Sequence, residues 1–197
     1  METRLRGVLS KCVIFAFALI LFAVGGNVAW ADSGTASFTY IVFPPGAFPG
    51  FPGDIAGAAD GQTIQMAGAG PLSINPKSVG GGGTFIHRNA AGAVVATGTW
   101  TAVQLLSFTD YGTDPAFPPN VHGGLAIIRI HLTPRTGGAG VDATLWVDCG
   151  INQPGANFTS DLPEGKPEDL TEGIRLAVDG GPNFNKKISS ATVFLAI

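Results

Sequence analysis

The sequence predicts an all-β fold, a single antiparallel β-sandwich or closed β-barrel of about 8–10 strands with Pro/Gly-rich loops. Three observations carry this. Beyond the N-terminal leader no segment sustains a helical period, and what recurs is apolar/polar alternation. The alternating runs are short and bounded by Gly, Pro and Asn, in a chain with 29 Gly and 14 Pro. Surface polarity comes from Thr, Ser and Gln rather than from charge, and the branched Cβ of Thr suits a pleated surface.

Residues 1–31 read as a cleaved secretory signal peptide. Arg4, Arg6 and Lys11 form a basic start, Val13 to Val24 is an uncharged apolar run, and Ala29-Trp30-Ala31 is a small-x-small cleavage site before Asp32. The run is short for a membrane span, which needs ~20 apolar residues, so no span is expected after cleavage. Residues 32–197 then form a single all-β domain. Removing Arg4, Arg6, Lys11 and Glu2 leaves 8 basic and 13 acidic residues, net −5. Such a chain has no electrostatic footprint for nucleic acid. Cys149 is its one cysteine, so no internal disulfide can form and stability must come from the core. A ~150-residue domain can supply it by burying about two-thirds of its unfolded surface.

Strands are expected near 35–43, 61–67, 71–75, 83–88, 93–102, 103–109, 123–133, 142–149, 173–178 and 189–197. In GTFIHRNAAGAVVATG the turn Asn89 to Gly92 makes a hairpin pairing Arg88 with Ala93. A second hairpin runs GGLAIIRIHLTP, a Gly-rich turn, then VDATLWVDCG. Pairing Leu132 with Ala143 sets Ile130, Ile128 and Ala126 against Leu145, Val147 and Cys149, a wholly apolar face. Arg129 then lies opposite Trp146 on the other face, with His131 and Asp148 beside them. A one-residue slip would put Arg129 among the apolar set. Residues 167–173 suggest one helical turn, with Pro167 near its start and Gly173 ending it.

Candidate functional residues fall into two groups. Arg129, His131, Trp146 and Asp148 present an aromatic ring flanked by hydrogen-bonding groups, a platform for a sugar or small ligand; the alternative is an ordinary solvated sheet face. The second group is Phe48 and Phe51 in FPPGAFPGFPGD (43–54), where Phe43, Phe48 and Phe51 sit among four Pro and three Gly with no charge before Asp54. Aromatic content argues against disorder. The rings either plug one end of the domain, the favoured outcome, or form an apolar contact surface.

Other features carry less. Cys149 lies on the apolar face and is expected to be buried and inert. His87, His122 and His131 show no metal-ligand spacing. Asp110 and Asp114 flank Tyr111 in a turn, where Asp bonds its own backbone. Gly98-Thr99-Trp100 is similar to the lipocalin G-x-W, but follows several expected strands where lipocalins place it at the first. The glycines 80–83 have no following helix or Lys-Ser/Thr pair to make a phosphate loop.

No nucleophile, base or metal constellation is legible, and no cofactor is implied. The sequence points to a secreted, extracellular or periplasmic, β-rich binding or surface-interaction module. Its partner would be a small molecule, a glycan or a protein. The alternative is a β-barrel holding a small apolar ligand in its interior, with isomerase- or cyclase-like chemistry there.

Overall fold

A computed structural model of the chain describes residues 36–153 and 172–197. The signal peptide, the helical turn expected from Pro167 and the acids Asp161 to Asp169 lie outside those residues. The described chain is all-β. Its strands are β1 (Ser37–Val42), β2 (Asp54–Ala58), β3 (Thr63–Ser73), β4 (Ser78–Val79), β5 (Gly82–Arg88), β6 (Val94–Gly112), β7 (Val121–Pro134), β8 (Val141–Cys149), β9 (Gly173–Val178), β10 (Asn183–Ser189) and β11 (Val193–Ala196).

All eleven belong to one antiparallel sheet whose pairings close on themselves. One circuit runs β3-β2-β10-β9-β8-β7-β6-β5 and back to β3, eight strands. A second replaces β2, β10, β9 and β8 by β1 and β11, six strands. The two share β3, β5, β6 and β7. Along β3, Asp54 pairs with Met66 and Val42 with Gly68, so β2 and β1 meet end to end. Along β7, Cys149 pairs with Gly124 and Phe194 with His122, so β8 and β11 do the same. The ring therefore steps from eight strands to six, and the chain leaves the sheet at the step.

The interior is packed with apolar side chains. Alternation in β7 buries Ala126, Ile128, Ile130 and Leu132; β8 adds Ala143, Leu145 and Val147. Tyr40, Trp100, Phe184 and Phe194 are buried with them. The two polar tips are satisfied: Tyr40 donates to the Gly80 carbonyl at 2.9 Å and Trp100 Nε1 to the Ala67 carbonyl at 3.3 Å.

Three expectations are corrected. The β7–β8 hairpin keeps the faces read from the sequence but pairs two residues out of the expected register: Leu132 lies opposite Val141, Ile128 opposite Leu145 and Arg129 opposite Thr144. A slip of two preserves which side chains point inward, so alternation cannot detect it; the turn decides. In the first hairpin an irregularity between His87 and Arg88 pairs Arg88 with Val94. The runs 93–102 and 103–109 are one strand, β6, with register shifts after Ala102, Leu105 and Asp110. Each extra residue moves the next inward position from i+2 to i+3, and Val103 and Leu106 are left exposed.

Glycines 81, 82 and 83 are explained by backbone contact. A Cβ on Gly83 would lie 1.8 Å from the Ala67 carbonyl oxygen. β3 and β5 approach so closely here that no side chain fits between them.

Candidate functional site at the step

On the outer face of β7 and β8 the expected platform residues divide into two networks. Arg129 directs its fork at Asp179, in the turn after β9. Nη1 donates to Oδ1 at 2.9 Å and Nη2 to Oδ2, while Asp142 lies 3.8 Å away. His131 Nδ1 is 2.7 Å from Asp142 Oδ1. This half is an exposed ion-pair network. Trp146 is half-buried, opposite Ile127 on one side and Arg175 on the other. Asp148 shares the face yet is wholly buried, opposite Leu125 and Gly173.

Phe48 and Phe51 lie apart from that face, on the loop joining β1 to β2. Phe43, Phe48 and Phe51 are half-buried and pack on one another, with ring centroids 5.0 Å apart for the first pair and 5.5 Å for the second. The loop is ordered by its own backbone, Gly46 N donating to Phe51 O at 2.9 Å and Phe51 N to Phe48 O at 3.0 Å. Its base is tied by Asp54, which accepts from Phe43 N at 2.7 Å. Gln65 Nε2 donates to the Pro52 carbonyl.

Asp54 connects this loop to a polar cluster at the step. Its other oxygen accepts from Ala191 N at 2.8 Å, and the hydroxyl of Thr192, the next residue, donates to the Asp148 carbonyl. Segment 190–192 thus bridges Asp54 and Asp148. Asp148 Oδ2 accepts from Arg175 Nη2 at 3.4 Å, while its Oδ1 has no partner among the described residues. Glu172 stands just before β9, its carboxylate over Gly150. Lys187 lies opposite the core residue Ala56. Tyr111 completes the group, within electrostatic reach of Asp148 and Arg175.

Burial governs the electrostatics. It pushes the Asp54 carboxyl up to about 7, with Glu172 adding to the rise; the amides of Ala191 and Phe43 and the charge of Lys187 oppose it. It also pushes Asp148 up to about 7, opposed chiefly by Arg175 and then reinforced by Glu172. Glu172 itself is raised by burial. Tyr111 is pushed up to about 12 by burial and by Asp148. Burial and Glu172 raise the Cys149 thiol, which sits in the core as expected. Three carboxyl groups here face two cations, Arg175 and Lys187. Low dielectric makes such an imbalance costly unless a proton or another donor offsets it.

A second constellation is Asp110 and His122, on the inward side of β6 and β7. His122 Nδ1 lies 3.0 and 3.2 Å from the two Asp110 oxygens, one of which also accepts from Gly112 N at 2.8 Å. The imidazole edge meets Phe38 at 5.2 Å, and Phe108 continues the stack to Phe194. Asp114 bonds its own turn, as expected, accepting from Ala116 N. No group of three or more metal-ligating side chains occurs among the described residues.

The sequence reading missed Asp54, Glu172, Arg175 and Lys187. One signal was available. Asp148 in LWVDCG and Arg175 in GIRLAV are lone charges between apolar neighbours in two expected strands, the pattern a buried pair leaves. Comparison with known proteins finds no matching family model, no matching curated protein and no matching solved structure.

Proposed function

We propose that this chain is a secreted binding module whose site is the step of the ring, where the Phe loop and the buried polar cluster meet. The observation that carries the reading is Asp54. This one buried side chain ties the base of a loop bearing three half-buried aromatic rings to the strands that carry Asp148, Arg175 and Lys187. Aromatic surface beside a few convergent polar groups suits a small ligand with an apolar body and a polar end. The Arg129–His131 face contributes less, because the Arg129 fork is already engaged by Asp179.

The test is calorimetry against small aromatic ligands and glycans, with melting curves for each variant. Changing Phe48 and Phe51 together to Ala should weaken binding at least tenfold with the fold retained, since aromatic anchors dominate such contacts. Trp146→Ala alone should weaken it less. Loss of binding in Trp146→Ala, with the Phe variant unaffected, would move the site to the outer face. The delivery half of the reading predicts a mature N-terminus at Asp32, checked by sequencing the exported protein.

The Asp110–His122 pair favours a second reading, acid–base chemistry on an apolar ligand. A carboxylate that orients imidazole Nδ1 leaves Nε2 to move a proton. Under this reading His122→Gln abolishes turnover and leaves ligand affinity intact.

A further inference from the structure

At the end of the eight-strand circuit away from the step, a chain of three side chains fixes one imidazole. Asp60, exposed in the turn between β2 and β3, accepts from Gln62 N at 3.1 Å and from Gln62 Nε2 at 2.6 Å. Those bonds hold its carboxyl below the usual range, so it is a carboxylate and only accepts. The Gln62 amide must therefore turn its NH2 to Asp60 and its Oε1 to His87, whose Nε2 lies 2.6 Å away. An amide oxygen cannot donate. The proton of the neutral ring therefore sits on Nε2, and Nδ1 is left as an acceptor. Nδ1 has no partner among the described residues, and it is not one of the atoms closed to solvent. The ring itself points inward. Its cross-strand partners are Ile64 and Ala96, and it meets buried Phe184 nearly at right angles, ring centroids 5.4 Å apart. Ala96 is thus the imidazole's neighbour on one side, and Ala58, opposite Phe184, lies one side chain away on the other. Both alanines pack on the core and stay partly open. Burial lowers the His87 pKa, with Asp60 opposing.

We propose that this end of the ring binds a small phenol, the hydroxyl donating to His87 Nδ1 and the ring lying against Ala58 and Ala96. The ligand must donate, because Nδ1 only accepts. An apolar rim penalises a charged donor, which leaves a neutral hydroxyl. A phenol joins such a donor to a flat apolar body. The site stands apart from the Phe loop and does not depend on it.

Nitrogen NMR of the exported protein at about pH 8, where the imidazole is neutral, reads the tautomer directly; the proton is expected on Nε2. p-Cresol and its methyl ether, which has no donor, are then titrated. Cresol should shift the His87 Nδ1 resonance and bind about fivefold or more tighter than the ether, as a lost hydrogen bond predicts. His87→Phe should abolish that gap. Asp60→Asn, an exposed change, frees the Gln62 amide to turn round; it should mix the tautomers and narrow the gap, which a merely structural role for Asp60 would not do. A proton on Nδ1, equal binding of the two probes, binding of neither, or a gap that survives in folded His87→Phe each overturns the inference. So does loss of cresol binding in the variant with Phe48 and Phe51 both changed to Ala while the His87 resonances never move. That result places the ligand at the step and leaves the binding-module reading standing.

Discussion

Replacing Gly83 by Ala tests how closely β3 and β5 approach. A Cβ there would lie 1.8 Å from the Ala67 carbonyl oxygen and 2.6 Å from Gly68 Cα. Both are backbone atoms, so no side chain can swing aside. The strands must part by more than an ångström, which combines an overpacking cost of about 1–3 kcal/mol with one or two weakened ladder bonds at about 1 kcal/mol each. The expected total is about 2–5 kcal/mol, or a fall in Tm of roughly 4–20 °C for a domain of this size. Gly92→Ala is the control. Gly92 has φ +80° and open space around it, so the substitution carries only the left-handed penalty, about 1–2 kcal/mol. Urea unfolding followed by tryptophan fluorescence reads both, since Trp100 is buried against Gly68. If Gly83→Ala costs no more than Gly92→Ala, the close approach of β3 and β5 is wrong.

Stability should fall as pH rises from about 4 to 7. Asp54 and Asp148 are raised to about 7 and Glu172 is raised as well, so over this window the folded state holds more protons than the unfolded chain, whose carboxyls titrate near 4. His87, lowered by burial, works in the opposite sense as pH falls through about 6.5. Asp60 and Asp179, lowered by Gln62 and Arg129 respectively, withdraw support below about 4. The urea midpoint should therefore be higher at pH 5 than at pH 8, and a midpoint that climbs over this interval contradicts the burial assigned to the three acids. Cys149, 1% exposed with its thiol raised by burial, should react with a maleimide only in denaturant; fast labelling of folded protein would place it outside the core.

The strand-rich fold was legible because alternation is a local signal, and the faces of β7 and β8 follow from it directly. What was not legible has specific causes. β2 buries Ala56 and Gly57, residues too small to mark an inward face. β10, NFNKKIS, is charged and broken by register shifts, so its inward Phe184 and Lys187 share no period. The bulges in β6 imitate a strand boundary. Of the candidate site, the Phe loop and Asp148 were named from the sequence, but the burial of Asp148 and its charged neighbours were not. Its partner Arg175 is on another strand, Glu172 and Lys187 act on it electrostatically, and Asp54 is linked to it only through residues 191 and 192, a feature of pairing order that no local pattern encodes. The Arg129–Trp146 opposition failed on a two-residue shift that leaves every face intact.

The step also orders events in time. β11 lies between β1 and β7 in the six-strand circuit, so residues 37–42, paired on one edge with β3, find their second neighbour only once residues 193–196 exist. Phe194, fully buried against Phe108, belongs to that closing piece. Contacts of such long sequence separation form late. A chain threaded through a membrane by the proposed leader is therefore unable to lock while it is still in transit. Under the proposed secretion the six-strand circuit would close only after export, because one edge of the first strand waits for the last, and the Phe rings and strand edges exposed meanwhile are what a holding chaperone would meet.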